Sequence, residues 1–174
     1  MAQIVFVRHA QPDWPFADAR ELRGAARDLV GLTALGVSQS EAIAVNAHLE
    51  GAELILSSPY TRALQTAAII SRFRDLHLSV EYDLREWVPD ETGECDSFAA
   101  IRALAEDFRL HAGEYPDGET RVWETRSSLR ARVQGVLSRF AAHRKVVVVS
   151  HEMAIGSVTG AAEIEFAGIV EWNT

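Results

Sequence analysis

Two histidines each stand directly after a short apolar run, one near each end of the chain. Gln3-Ile4-Val5-Phe6-Val7 leads into Arg8-His9, and Val146-Val147-Val148-Val149-Ser150 leads into His151. Short apolar runs of this kind read as buried strands. In open α/β sheets, ligands bind in the crevice outside the carboxyl ends of the strands. Two histidines delivered to one crevice, one of them beside an arginine, suggest phosphoryl chemistry. Taken singly, each candidate also has a plainer reading. An Arg-His pair is commonly a polar strand end, His151 a satisfied structural histidine, and Arg62 a solvated helix residue. Glu86, in Leu84-Arg85-Glu86-Trp87, reads equally well as a surface carboxylate paired to Arg85.

Together they meet a specific demand. Moving a phosphoryl group off an ester needs a nucleophile, cations on the non-bridging oxygens, and an acid for the leaving oxygen. A neutral imidazole nitrogen can attack phosphorus, and arginine clamps phosphate with a planar fork. A second histidine, held protonated by a bound dianion, adds a donor. A helix starting after His151 would aim further N–H groups at the anion.

The elements that must position these groups alternate between strand and helix signals, the pattern of an α/β layer fold. Pro12 to Gly31 reads as irregular. Thr33 can cap a helix in which Ala42, Val45 and Leu49 keep helical spacing, with Gly51 closing it. Leu54-Ile55-Leu56 reads as a strand ending at Ser57. Ser58 as cap and Pro59 in the first turn open the next helix, with Tyr60, Ala63, Leu64, Ala67 and Ala68 on one apolar stripe and Arg62 off it. A third strand is expected over Leu78–Tyr82, helices over Phe98–His111 and Glu119–His143, and a final strand over Glu163–Trp172. No repeat or linker divides the chain, so a single domain over residues 1–174 is the expectation.

Composition narrows the function classes. The 174 residues suit one domain with a proper core. A net charge of −8 with no compensating basic stripe argues against a nucleic-acid partner. The one cysteine, Cys95, excludes an intramolecular disulfide framework and any cysteine-pair zinc site. No apolar run reaches membrane-spanning length, and the N-terminal run is too short for a signal-peptide core, so no membrane partner and a cytoplasmic location are expected. His151-Glu152 opens like a zinc-protease helix but lacks the second histidine, and no lysine-containing phosphate loop exists. His48, His77, His111 and His143 read as surface or helix-end residues.

Several segments, taken in order, resemble the histidine phosphatase (phosphoglycerate mutase-like) superfamily. Val7-Arg8-His9-Ala10 is similar to its strand followed by Arg-His-Gly. Leu32-Thr33-Ala34-Leu35-Gly36-Val37-Ser38-Gln39 resembles its Leu-Thr-x-x-Gly-x-x-Gln. Ser57-Ser58-Pro59-Tyr60-Thr61-Arg62-Ala63-Leu64-Gln65-Thr66-Ala67 matches Ser-Ser-Pro-x-x-Arg-Ala-x-Gln-Thr-Ala throughout. Leu84-Arg85-Glu86 looks like the acid loop, Gly118-Glu119-Thr120 like Gly-Glu-Ser near a helix start, and Val149-Ser150-His151 like the last strand end.

The resemblance implies a three-layer α/β/α fold with a mostly parallel central sheet and an antiparallel edge strand. It implies His9 as phosphorylated nucleophile, Arg8, Arg62 and His151 as the phosphate pocket, and Glu86 as proton donor and then base for water. It implies no cofactor and no metal, with a small phosphorylated molecule as substrate; a homodimer stands open as an assembly. The chain departs from the pattern at Ala10, which fits only where the backbone does not require positive φ. Pro12 and Pro15 replace a hydroxyl and an amide that ordinarily contact phosphate or substrate, and Trp87-Val88-Pro89-Asp90 lacks the usual continuation of the acid loop. The leading expectation is a cofactor-independent phosphatase acting on a small phosphomonoester through a phosphohistidine. The alternatives are a mutase, which in this family carries inserted segments that the chain has little room for, a protein phosphohistidine phosphatase, and a non-catalytic binder of a phosphorylated ligand.

Overall fold

A computed structural model describes residues 2–95 and 97–173. Strands β1 (Gln3–Arg8), β2 (Leu54–Ser57), β3 (Leu78–Val80), β4 (Lys145–Ser150) and β5 (Ile169–Asn173) form one five-stranded sheet in the order β3-β2-β4-β1-β5. β1 runs parallel to β4 with Arg8 opposite Ser150, and β2 runs parallel to β4 with Ser57 opposite Val149. β5 lies antiparallel along the outer side of β1. This register brings the carboxyl ends of β1, β2 and β4 to one level, so His9, Ser58 and His151 emerge side by side.

The helices are α1 (Trp14–Ala19), α2 (Ala34–Ala44), α3 (Thr61–Arg74), α4 (Phe98–Leu110), α5 (Arg126–Arg139) and α6 (Glu152–Thr159). They cover both faces of the sheet. On one side Val5, Val7, Ile55, Val147 and Val149 pack with Ile43 and Ala44 of α2 and Ala63, Ala67 and Ile70 of α3. On the other, Ile4, Phe6, Leu56, Val146 and Val148 pack with Leu129, Val133 and Val136 of α5 and Ala154 and Ile155 of α6. Successive strand residues point to opposite faces, and both faces are dry. That is why β4 is an unbroken valine run rather than an alternating one. The result is the expected three-layer α/β/α architecture with an antiparallel edge.

The structure moves several boundaries. The stretch from Pro12 to Gly31, read as irregular, contains α1 and a 3-10 helix over Gly24–Leu29. The helix capped by Thr33, whose hydroxyl accepts from the Gly36 N–H, stops at Ala44, and Ala47–Leu49 is a separate 3-10 turn. Asn46, whose side chain caps that turn, intervenes. The third strand stops at Val80, and Tyr82–Leu84 is a 3-10 turn that carries the chain towards Glu86. The long helix starts at Arg126, not Glu119. Thr125 supplies its cap by accepting from the Ser128 N–H, while Pro116 and Gly118, the latter at φ +78°, keep the preceding segment out of helix. The last strand covers only Ile169–Asn173. The residues before it, where Glu163 and Ala167 take positive φ, turn instead across the carboxyl end of β1.

Candidate active site

The loop after β1 is built first, because His9 depends on it. The Arg8 N–H donates to the Gly168 carbonyl, and the His9 N–H to the Ser150 carbonyl, both at 2.9 Å. The Ala10 N–H donates to the Thr66 hydroxyl at 3.1 Å, and the Gln11 N–H to Gln39 Oε1 at 2.9 Å. Gly36 completes the seat. A Cβ there would fall 2.3 Å from the Gln11 carbonyl oxygen, so only glycine lets α2 approach this closely. Gln65 Oε1 accepts the Leu32 N–H at 2.7 Å, tying the far end of the same stretch to α3. The motif residues that carry no chemistry are thus the scaffold of the histidine loop. Ala10 is fully buried and is absent from the positive-φ residues, so its substitution for glycine costs no backbone strain.

His9 is 5% exposed. Its Nδ1 lies 2.9 Å from the Ala10 carbonyl, which can only accept, so Nδ1 carries the proton and Nε2 keeps a free lone pair. Burial, then the Arg62 and Arg8 charges, push its pKa down to about 3 against the pull of that carbonyl. The ring is therefore neutral. The His151 ring lies edge-on at 5.0 Å and is also driven well below the ordinary imidazole range, by burial first and then by Arg62 and His9. His151 Nε2 is hydrogen-bonded to the Ser58 hydroxyl at 2.8 Å.

Arg62, in the first turn of α3, is 6% exposed, its guanidinium 4.9 Å from the Tyr60 ring and 5.4 Å from the Trp14 ring. Its ion-pair partner is Asp28, at 3.5 Å from the 3-10 helix over Gly24–Leu29. Burial pushes the Asp28 carboxyl up, and Arg62 opposes that shift. Arg8 pairs with Glu152 at 3.0 Å, donates to the Ile164 carbonyl, and lies 4.4 Å from the Phe166 ring centroid. Among the described residues, four buried nitrogens in this cluster have no hydrogen-bond partner: Arg8 Nε, Arg62 Nε and Nη1, and His151 Nδ1. Unpaired buried donors are costly. Concentrated around one neutral imidazole, the arginine nitrogens among them describe a buried cluster with a deficit of anion.

Glu86 lies at the start of α6. Its carboxylate accepts from the Trp87 N–H at 2.8 Å, the Ala154 N–H at 3.1 Å and the Met153 N–H at 3.3 Å. Burial pushes its pKa up, against those donors and Arg62. The structure thus brings Arg8, His9, Arg62, Glu86 and His151 to one end of the sheet. Among the described residues, no group of three or more histidine, cysteine, aspartate or glutamate side chains is arranged to hold a metal ion.

Other residues here escaped the sequence reading. Ser58, read as a helix cap, bonds His151; Tyr60 is the cap residue of α3, without a side-chain cap bond, rather than part of its core stripe, and its ring lies 5.2 Å from His151. Their places directly after β2 were the available signal. Phe166, 5.6 Å from the His9 ring, had none, because its segment read as strand. Glu119, matched above to the Gly-Glu-Ser motif, is exposed and pairs with Arg121 at 2.8 Å. The buried glutamate beside a helix cap is instead Glu124, followed by Thr125.

Comparison with known proteins places the chain in a family. A probable phosphoglycerate mutase, GpmB, of Proteus mirabilis is 30% identical over 160 residues, covering 90% of this chain and 72% of that protein. A 2-carboxy-D-arabinitol-1-phosphatase of Triticum aestivum is 38% identical over 84 residues, covering 48% of this chain and 16% of its own. The mycobacterial glucosyl-3-phosphoglycerate phosphatase with bound VO3 superposes with a TM-score of 0.73 at 23% identity, covering 98% of this chain and 90% of that one; this is a likeness of fold. The family model for the histidine phosphatase superfamily (branch 1) matches residues 4–169. With Arg8, His9, Arg62 and His151 gathered as its sequence motifs imply, the chain belongs to the histidine phosphatase superfamily.

Proposed function

We propose that the protein is a cofactor-independent phosphatase that hydrolyses a small phosphomonoester through a phosphohistidine on His9. The observation that carries this reading is the set of unpartnered buried nitrogens, the donors of Arg8 and Arg62 and the Nδ1 of His151, around a His9 ring whose Nε2 lone pair is free. A phosphoryl group satisfies those donors and places phosphorus before the nucleophile. The His9 Nε2 lone pair forms the P–N bond as the ester P–O bond breaks, and Glu86 gives its proton to the departing alkoxide. In the second half, the Glu86 carboxylate takes a proton from water. The water oxygen bonds to phosphorus, the P–N bond breaks, and inorganic phosphate leaves with His9 neutral again.

The environment suits each role. Burial keeps His9 unprotonated near neutrality and raises the Glu86 carboxyl, which helps it hold a proton. A bound phosphate dianion raises that carboxyl further and favours protonation of His151, which then donates to it. Phosphatases stand among the similar proteins, including a phosphoserine phosphatase of Entamoeba histolytica that shares the fold at 21% identity and a TM-score of 0.65. The GpmB likeness favours one competing reading, phosphoryl transfer to a second hydroxyl rather than to water.

A phosphate-release screen across sugar phosphates, nucleotides, phosphoglycerates, phosphoserine and phosphohistidine tests the proposal. The expected result is release of inorganic phosphate from at least one small ester, with an acid-labile, base-stable phosphate trapped on the wild-type protein and none on His9→Ala. Turnover in His9→Ala above roughly a tenth of wild type is incompatible with covalent catalysis by His9. Transfer to a sugar or glycerate hydroxyl without phosphate release supports the mutase instead.

A further inference from the structure

Arg132 and Glu124 lie outside the pocket, and no motif pointed to them. Arg132, in α5, has a side chain 10% exposed, and that of Glu124 is 2% exposed. They form a two-pronged ion pair, Nε to Oε1 at 2.6 Å and Nη2 to Oε2 at 2.9 Å. The remaining donors of the guanidinium all go to the loop that carries Glu86. Nη1 donates to the Asp83 carbonyl at 2.6 Å and the Arg85 carbonyl at 2.8 Å, and Nη2 to the Glu86 carbonyl at 2.9 Å. All five N–H groups of the fork are thereby used.

Glu124 holds the other side of the same loop. Its Oε2 accepts the Val88 N–H at 3.1 Å, its carbonyl accepts the Trp87 indole N–H at 2.7 Å, and its own N–H donates to the Val88 carbonyl at 2.9 Å. Every residue from Asp83 to Val88 except Leu84 is therefore bonded to this pair. Leu84 itself is held through its carbonyl, which accepts the Ser150 hydroxyl at 2.7 Å. A buried ion pair is a weak device for stability alone, since apolar residues of similar volume often serve as well. A planar fork with fixed donor directions is well suited to holding three convergent carbonyls.

We infer that Arg132 and Glu124 are positioning residues that set where the Glu86 carboxyl meets the leaving oxygen. This rests on the reading of Glu86 as proton donor. The carboxyl itself is bonded through N–H groups of Trp87, Met153 and Ala154. Its position follows from two anchors, the first turn of α6 and the backbone of its own loop. The Arg132–Glu124 pair supplies the second. Arg132→Lys keeps the charge and removes the fork, so the loop carbonyls lose their common donor.

The test compares an alkyl phosphate, whose alkoxide needs a proton, with p-nitrophenyl phosphate, whose leaving group departs without one. In Arg132→Lys the expected kcat/KM, which reports only the steps up to the phosphoenzyme and not the shared hydrolysis by water, falls about 10- to 100-fold on the alkyl ester, in line with the cost of misplacing a catalytic group by an ångström. On p-nitrophenyl phosphate the expected fall in kcat/KM is under about threefold. Adding Arg132→Lys to Glu86→Gln should then cost nothing more on the alkyl ester, because the two act through one group.

Equal losses on both substrates, or additive losses in the double variant, overturn the inference. Glu86→Gln measured alone separates the two readings. If it lowers kcat/KM equally on both substrates, the proton-donor assignment fails and takes the inference with it; if the loss in kcat/KM is selective for the alkyl ester while that of Arg132→Lys is not, only the inference fails. Should Arg132→Lys not fold, as judged by its melting transition, Glu124→Gln is read the same way, since it preserves shape while weakening the grip on Arg132 and Val88.

Discussion

Asp28→Asn should tighten the binding of inorganic phosphate. Asp28 is ion-paired to Arg62 at 3.5 Å, and two Arg62 nitrogens have no hydrogen-bond partner among the described residues. An incoming dianion must share this guanidinium with a carboxylate already beside it. At that separation, two unit charges interact by about 5 kcal/mol if the effective dielectric constant is roughly 20. The Asp28 side chain is 34% exposed, and solvent screening reduces the figure severalfold, to about 1–2 kcal/mol. Each 1.4 kcal/mol is about tenfold in affinity, so the competitive inhibition constant for phosphate should fall roughly 5- to 30-fold. Asparagine keeps the volume of the side chain, so the substitution isolates the charge.

The assay is inhibition of p-nitrophenyl phosphate hydrolysis at a series of pH values. Burial raises the Asp28 carboxyl above the usual carboxylate range, so acidification neutralises it early. The wild-type constant should therefore converge on that of the variant as the pH falls; phosphate's own ionisation affects both proteins alike and cancels in the ratio. A constant that is unchanged, or that rises in the variant, would refute the reasoning and make Asp28 a residue that orients Arg62 rather than one that competes for it.

Stability should fall with acid because His9 is buried neutral: its folded pKa of about 3 lies below the unfolded value of 6.5, so only the unfolded chain takes up a proton as the pH drops through that window. At pH 5 this amounts to about 2 kcal/mol lost relative to neutrality, from ~1.4 kcal/mol per pH unit, and His9→Asn should remove that component of the difference in urea midpoint between pH 7 and pH 5. Gly36→Ala sets a methyl group 2.3 Å from the Gln11 carbonyl, so it should cost about 1–3 kcal/mol by the usual scale for overpacking and reduce kcat/KM as the His9 loop is displaced; an unchanged melting temperature with full activity would show that the loop adjusts freely. Two arginines already neutralise the transferring group in the proposed mechanism, so activity should survive prolonged EDTA treatment, and strict restoration by added magnesium or zinc would replace it with a metal-assisted one.

The candidate residues His9, Arg62 and His151 were legible in the sequence because each sits directly after a strand or in the first turn of a helix, and local patterning marks those places well. The valine run of β4 and the apolar run of β1 announced buried parallel strands, and their last residues named His9 and His151. Motif spacing identified Arg62 and Glu86, and the alternation of elements implied the three layers. Sequence periodicity could not supply the register of β1 against β4, which sets Arg8 opposite Ser150 and hence one histidine beside the other. That pairing is a long-range choice, made by both sheet faces being buried at once. Nor could it tell Glu119 from Glu124. Both follow the same local signals, and only the packing of Trp123 between Phe108 and Tyr115, at 5.2 and 4.8 Å, draws the second one inside. Asp28, Phe166 and Arg132 belong to the site's surroundings for a similar reason. The site residues and loop that they reach lie 34 to 157 positions away in the chain, and contacts at that range are decided by the closing of the core.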